Sequence, residues 1–600
     1  MGITSFLSDV KVLFSAATTK PPTSETIGSL PLVVEEQARK NPQAIALLCE
    51  DQVVNWQELN ERANRVATRL QQGGIVRGDC VSLFMQNRIE FIACMLGIQK
   101  LGAIAGMINT NLGRQQLIHC INLVKSKKCI VGEELIAPLS EVTSELNLKD
   151  GEDYFFVRDQ GENPPPNWAI ELDVKDESIS ADNLAVTDSV TMGDVCLYIF
   201  TSGTTGLPKA AILSNKRVIV SSLMASKMLL RINSSDRLYN CLPLYHATGL
   251  MVGLAAAFQV GASTVIRRRL SVSAFWDDIR KYNCTCFVYI GEFVRYLMSR
   301  PPAKNDAMNP IRAIIGNGLR PDIWQEFKKR FDIERIGEFY GASEGNGAFA
   351  NILNKECTVG MGVTPAKLCR YDIASDELVR SADGACKEVP DGEPGLLLYE
   401  ITETSQFEGY TSEEASNKKI VRDAFEKGDM YFNTGDMMKI VDVGFSFGQK
   451  HYQFVDRVGD TFRWKSENVS TNEVGELMNS FDDIIFTNVY GVEIPGTDGR
   501  AGMAAIVLKD GKTLRSIDLQ ALTDHVIDAL PSYARPVFIR ILKELPTTTT
   551  HKLQKNDLRD NAYHLDKVQD DLLVMKPGTK CYSRLDSDFY DQVIQRSVSF

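Results

Sequence analysis

The chain has 600 residues, 44% of them hydrophobic and 24% charged, which excludes collagen-like, coiled-coil and wholly disordered classes. At roughly 100–200 residues per domain, such a length needs several structural units. Its 66 Lys and Arg against 77 Asp and Glu give a net charge of −11, and so acidic a chain lacks the basic face of a general nucleic-acid binder.

At the start, Ile3, Phe6, Leu7, Val10, Leu13 and Phe14 recur with helical period, so the spacing predicts an amphipathic helix. Its apolar stripe either packs on the protein's own body or lies in a membrane interface, where only Lys11 would meet anionic lipid. Peripheral membrane contact through residues 3–17 stays open on this reading. No basic signal-peptide segment opens the chain, and Phe6 stands where N-myristoylation needs Ser or Thr. No run reaches the roughly 18–20 apolar residues of a membrane span. The expected location is cytoplasmic, with or without that membrane contact.

From Leu32 to Val131 helical and apolar segments alternate. Trp56 to Gln72 reads as an amphipathic helix closing at Gly73-Gly74, Cys80 to Met85 as a strand, and Glu90 to Lys100 as a helix. Such alternation implies βαβ units and a mostly parallel sheet. Gly161 to Pro166 is a surface loop, and a second alternating region runs from Asp194 to Ala350. After Gly392-Glu393-Pro394-Gly395 short strands appear, at Leu396 to Tyr399, Met438 to Val441 and Tyr452 to Val455. The expectation is an α/β protein in three parts. A helix and linker occupy residues 1–30, and a large domain of mostly parallel αβ-layered sheets plus a β-subdomain occupies 31–456. A small α+β domain occupies 457–600.

Thirteen cysteines, an odd number without zinc spacing, are expected as buried reduced thiols. The histidines include no HExxH, so any metal should be a hard cation held by oxygen.

The strongest signal is Thr201-Ser202-Gly203-Thr204-Thr205-Gly206-Leu207-Pro208-Lys209, after the apolar strand Val195 to Phe200. Two glycines let the backbone turn tightly and point successive N–H groups at an anion. Four hydroxyls and a lysine add donors suited to a polyphosphate. The spacing is not that of a Walker A loop.

This segment resembles the phosphate-binding signature of the adenylate-forming superfamily of acyl-CoA synthetases, luciferases and peptide-synthetase adenylation domains. Further stretches resemble that superfamily's motifs in the same order: Leu242-Pro243-Leu244-Tyr245-His246, Gly316-Asn317-Gly318-Leu319-Arg320-Pro321, Tyr340-Gly341-Ala342-Ser343-Glu344 and Thr434-Gly435-Asp436. Phe454 to Lys465, with Glu467-Asn468-Val469-Ser470, is similar to the signature of fatty-acid transport proteins and very-long-chain acyl-CoA synthetases. Glu338-Phe339-Tyr340-Gly341-Ala342-Ser343-Glu344-Gly345-Asn346 points to the same branch.

The resemblance implies an ATP-dependent ligase that activates a long- or very-long-chain fatty acid as acyl-adenylate and passes it to coenzyme A. It implies Mg²⁺ on Glu344 and Thr201, and polyphosphate in the cradle from Thr201 to Lys209. Gly316, Asn317 and Gly318 would lie beside the adenine, with Tyr340 stacked on it, and Gly341, Ala342 and Ser343 would line the same nucleotide. Asp436 and Arg457 would hold the ribose. Lys552 would be a catalytic lysine on a mobile C-terminal domain that pivots between Arg457 and Asp460. His246 would be either a proton carrier or a wall of the acyl pocket. Two positions depart from the family pattern: Ser466 and Thr549 replace glycines, which leaves the thioester step less secure than adenylation.

Other classes compete. Gly341-Ala342-Ser343-Glu344-Gly345 fits the G-x-S-x-G elbow of serine hydrolases, but Asn346-Gly347 opens the required helix badly. A non-catalytic fatty-acid uptake module would not need Lys209, Glu344, Asp436, Arg457 and Lys552 together. A ligase for a carnitine-like, bile-acid or aromatic acid is the nearest alternative. The small-residue run from Gly249 to Ala262 suits either a tunnel for a slim acyl tail or plain helix packing.

Overall fold

The structure, a computed structural model, describes residues 9–14, 22–162, 164–201, 207–373, 375–464, 467–497, 499–545, 555–598 and 600. The chain forms two compact units. The first comprises Met1–Leu319, Trp324–Thr364 and Ile401–Ile420, and the second comprises Arg320–Ile323, Pro365–Glu400 and Val421–Phe600.

Two sheets organise the first unit. A seven-stranded sheet runs in the order Ile170–Glu171, Tyr154–Val157, Lys128–Gly132, Cys80–Phe84, Ile104–Met107, Val195–Thr201, Lys209–Ser214. Every neighbouring pair is parallel except the last, which is antiparallel. Cys80–Phe84 is buried along its whole length, as a parallel strand covered on both faces should be. The second sheet has a parallel core of Ile45–Cys49, Ser263–Ile266, Arg237–Asn240, Cys286–Ile290, Ala313–Asn317 and Arg335–Gly341. The α/β expectation therefore holds, and so do the strand expected from Cys80 and the helix expected from Glu90.

The helix Trp56–Gln72 begins at a reciprocal cap. The Asn55 side chain accepts from the Glu58 amide at 2.8 Å while the Asn55 amide donates to Glu58 at 3.1 Å, satisfying donors that a helix start leaves open. Trp56, Leu59, Ala63, Val66, Ala67 and Leu70 form its buried stripe. Against it lies Ile89–Lys100, buried on every side. Lys100, fully buried, pairs with Glu35; burial pushes its ammonium below the usual lysine value while Glu35 pulls it back.

In the second unit, Ala366–Cys369, Gly395–Glu400, Met430–Val441 and His451–Arg457 form an antiparallel group. A five-stranded mixed sheet of Ile484–Val492, Ala501–Leu508, Phe538–Leu542, Asp571–Val574 and Ser583–Arg584 follows. Helices Thr471–Asn479 and Leu519–Ala529 contribute Val474, Met478, Leu522 and Val526 to its core.

The thirteen cysteines are buried apart from the half-buried Cys357 and Cys581. Among the described residues, no helix is long and apolar enough to cross a membrane. Of the N-terminal stripe, Ile3, Phe6 and Leu7 lie outside the described residues. Residues 9–14 are helical, with Val10 and Phe14 exposed and Asp9 paired to Arg231 at 2.6 Å.

Gly97 sets the approach of the two packed helices: a Cβ there would lie 2.6 Å from Val66 Cβ and 2.8 Å from the Ala63 carbonyl oxygen. Gly97→Val should therefore destabilise the fold by about 1–3 kcal/mol through overpacking, read as a lower urea midpoint with an unchanged slope.

Candidate active site

The strand Val195–Thr201 ends at the carboxyl edge of its parallel sheet, where ligands bind in open α/β folds. The chain then reverses and returns antiparallel as Lys209–Ser214, with Thr201 opposite Lys209 in register. Ser202, Gly203, Thr204, Thr205 and Gly206 lie outside the described residues. At the far side of the turn, the Pro208 carbonyl accepts from His119 Nε2 at 2.9 Å.

Residues 409–411 pair with the returning strand. The Ile212 amide donates to the Gly409 carbonyl at 3.1 Å, the Thr411 amide donates to the Ala210 carbonyl at 3.0 Å, and Tyr410 bridges Ala211. This places the Tyr410 phenol near Glu344 and Thr201. Burial, then the Glu344 charge, pushes that phenol well above its ordinary value. The Lys209 ammonium lies over the same ring, 5.4 Å from its centroid. Thr201, Lys209 and Glu344, far apart in sequence, thus meet around one side chain.

Glu344 sits just beyond the strand Arg335–Gly341, whose Gly341 pairs with Ala348. Two contacts fix this loop, with Ala342 and Ser343 inside it. Arg217 donates to the Ala342 carbonyl at 2.6 Å, and the Asn346 amide donates to the Ser405 carbonyl at 2.9 Å. Burial lowers the Arg217 guanidinium from its usual value, and the charges of Glu408 and Glu344 oppose that shift. Glu408 is in turn held by the Ser214 amide at 3.0 Å and the Ser214 hydroxyl.

Tyr340 lies on the same strand, paired across to Phe349 with ring centroids 5.9 Å apart. Gly316 and Asn317 end the neighbouring strand Ala313–Asn317, Gly318 follows it, and Glu338 holds this end of the strand. That buried carboxyl accepts from the Gly318 amide, from the Leu319 amide at 3.1 Å and from the Tyr289 hydroxyl. Burial raises Glu338 to about 8, against the pull of these donors. Asn317 accepts from Thr248 at 3.3 Å. His246, two residues before Thr248, packs on Tyr245 with ring centroids 4.6 Å apart. The small-residue run after it is helical and buried, and a Cβ at Gly253 would meet Asn240 and Val288.

In the second unit, Asp436 and Arg457 face each other in register on adjacent strands, Nε to Oδ1 at 3.5 Å. The Asp436 side chain is 13% exposed and that of Arg457 52%, so the cation keeps reach while the carboxylate is fixed. Ser466, Thr549 and Lys552 lie outside the described residues. Sequence reasoning missed Tyr410, Arg217 and Glu408, and gave Glu338 no role. None carries a local pattern of its own.

The AMP-binding enzyme family matches residues 34–411, and the AMP-binding enzyme C-terminal domain matches residues 473–552. A medium/long-chain fatty acid–CoA ligase of Mycobacterium tuberculosis is 38% identical over 591 residues, covering 98% of this chain and 95% of that protein. Long-chain fatty acid transport protein 2 of Rattus norvegicus is 38% identical over 573 residues, covering 94% and 90%. Among solved structures, the anthranilate CoA ligase AuaEII in complex with anthranoyl-AMP matches with a TM-score of 0.75 at 22% identity, covering 91% of this chain and 98% of that one. A benzoate CoA ligase from Burkholderia xenovorans matches with 0.72 at 20%, covering 89% and 100%. Both establish the fold.

Glu338 makes stability depend on pH. Its folded value of about 8 exceeds the ordinary 4.5, so the folded state holds the proton longer. Its contribution is complete below the ordinary value and is lost as pH rises through about 8. Glu338→Gln stays neutral, so wild-type stability should fall relative to the variant as pH rises across that window. Urea midpoints of the two proteins measured across it would read the difference, and parallel curves would show an ordinary carboxyl.

Proposed function

Because the chain belongs to the AMP-binding enzyme family, in the branch of the fatty-acid transport proteins and fatty acid–CoA ligases, we propose that it is an ATP-dependent, AMP-forming ligase joining a long-chain fatty acid to coenzyme A. The observation that carries this reading is the meeting of Thr201, Lys209 and Glu344 around Tyr410.

The chemistry has two steps. A fatty-acid carboxylate oxygen attacks the α-phosphorus of ATP and pyrophosphate leaves, giving a mixed anhydride. The thiol of coenzyme A then attacks the acyl carbon, AMP leaves, and the thiol proton goes to solvent. In the first step two anions must approach, so the protein has to supply positive charge and alignment. Lys209 and the turn from Thr201 meet the polyphosphate. The Thr201 hydroxyl and the Glu344 carboxylate are hard oxygen donors of the kind Mg²⁺ takes. There the ion would offset phosphate charge.

Tyr340 stacks on the adenine, opposite the turn Gly316, Asn317, Gly318. Asp436 accepts from the ribose hydroxyls and Arg457 steadies it. His246 forms a wall of the acyl pocket. Lys552 meets the reacting carboxylate and α-phosphate from a C-terminal domain, residues 457–600, that turns about Gly459 between the steps. A Cβ at Gly459 would meet nothing within 4 Å, so packing does not demand glycine there, whereas a hinge does. The exposed Val10 and Phe14 support peripheral membrane contact through residues 3–17.

Purified protein given ATP, Mg²⁺, coenzyme A and acids of graded chain length should release pyrophosphate and form CoA ester with oleate, and do neither with benzoate. Pyrophosphate without ester would trace the defect to Ser466 and Thr549, and no pyrophosphate with any acid would overturn the reading. Lys552→Ala should lower adenylation about 10²- to 10³-fold while sparing thiolysis of supplied oleoyl-adenylate; equal loss of both steps would remove Lys552 from that role.

A further inference from the structure

Glu344 sits on a turn gripped at both ends by residues that stand in none of the motifs suggesting the reaction. The Gly345 amide donates to the Ala342 carbonyl at 3.2 Å, so Ser343 and Glu344 lie inside a hydrogen-bonded turn. The same carbonyl accepts from the Arg217 guanidinium at 2.6 Å. Just past the turn, Asn346 and Ser405 bond in both directions. The Asn346 side-chain amide donates to the Ser405 carbonyl at 2.9 Å and to its hydroxyl at 3.1 Å, and that hydroxyl donates to the Asn346 carbonyl at 3.0 Å. Both grips share one anchor. Glu408, close after Ser405 in the chain, accepts from the Ser214 amide at 3.0 Å and from the Ser214 hydroxyl. Ser214 caps the helix Asn215–Leu223 by accepting from the Arg217 amide at 3.3 Å, which fixes the turn of helix that carries Arg217.

We propose that Arg217 and Ser405 are positioning residues for the cation-binding Glu344, clamping its turn at the two ends. This rests on the reading of Glu344 as a cation ligand. A carboxylate on an unheld turn binds a cation only after that turn is ordered, and the ordering costs free energy. Two clamps order the turn beforehand, so the cation meets a ligand already in place. The clamps differ in chemistry. Arg217 is a cation on which the charges of Glu408 and Glu344 act, so by charge alone it would oppose a second cation at Glu344. Ser405 is neutral. Loss of either clamp weakens cation binding if position decides, whereas loss of the Arg217 charge would strengthen it if charge alone decided.

The test is a binding cycle. ATP affinity is measured by calorimetry with Mg²⁺ and with EDTA, for wild type, Arg217→Met and Ser405→Ala. Arg217→Met keeps an unbranched side chain without its donors. It should lose ~10-fold of the magnesium-dependent gain in affinity, the effect of one hydrogen bond from a charged group. Ser405→Ala changes no charge and should lose about 3- to 5-fold of that gain, with its affinity in EDTA unchanged. An undiminished or larger gain in either variant overturns the clamp, and Ser405→Ala, the milder change, decides alone where Arg217→Met does not fold. A wild-type protein whose ATP affinity ignores Mg²⁺ overturns the cation reading itself, which separates the two failures. A further measurement guards against a merely structural effect. In a Glu344→Gln background, Ser405→Ala should cost under about 2-fold if it acts through that carboxylate, whereas a loss as large as in the wild-type background would refute the positioning role.

Discussion

The backbone register that sets Thr201 against Lys209 is the constraint on which the rest of the site depends. A parallel strand has no choice of where it ends: Val195–Thr201 is paired to Ile104–Met107, and that pairing delivers Thr201 to the carboxyl edge. The antiparallel return then fixes Lys209 by main-chain hydrogen bonds rather than by side-chain packing. The returning strand offers its other edge to residues 409–411, so a segment two hundred residues downstream is held at hydrogen-bonding precision. Slip that register by one residue and Tyr410 would turn to the opposite face, taking its ring away from Lys209.

A chain of net charge −11 can still gather anions if its local charges are placed rather than averaged. Around Glu344, Arg217 and Glu408 balance each other, with Arg217 anchored on the Ala342 carbonyl and Glu408 on Ser214. Lys209 is held by an aromatic face. Its charge is thereby kept in a partly buried place, where a cation acts at greater strength than in bulk water. The same economy appears in the second unit, where Asp436 is fixed and the half-exposed Arg457 keeps reach.

Local patterns were legible in the sequence. The helix Trp56–Gln72 was read to the residue because its cap, its apolar stripe and its terminal Gly73 are all written within the segment. The strand Val195–Thr201 and the site positions before and after it follow from the same kind of local signal. What was not legible depends on distant pairing. Tyr410 has a role only because residues 409–411 join the strand Lys209–Ser214, and Arg217 only because Ala342 lies beside it. Lys100 reads as the polar end of a helix, yet it is wholly buried on Glu35, a partner that periodicity cannot name. The run after Gly249 left helix packing and an acyl tunnel equally open; contacts with Asn240 and Val288 supply the packing that the sequence alone could not choose.

Beside the charged Arg217 on the Ala342 carbonyl, several groups that shape the site position by neutral hydrogen bonds. Thr248 donates to Asn317, and Asn346 donates to Ser405 to close the Glu344 loop. Glu338 is a carboxyl placed beneath the turn at Gly318. Burial raises it to about 8, so at neutral pH most of it carries a proton, and Oε1 can still accept from the Gly318 and Leu319 amides. A permanently ionised group there would bury a negative charge, and a cation in its place would set donor against the Gly318 and Leu319 amides. A neutral acid avoids both, which gives a physical reason for fully burying a carboxyl where glutamine would seem the safer residue.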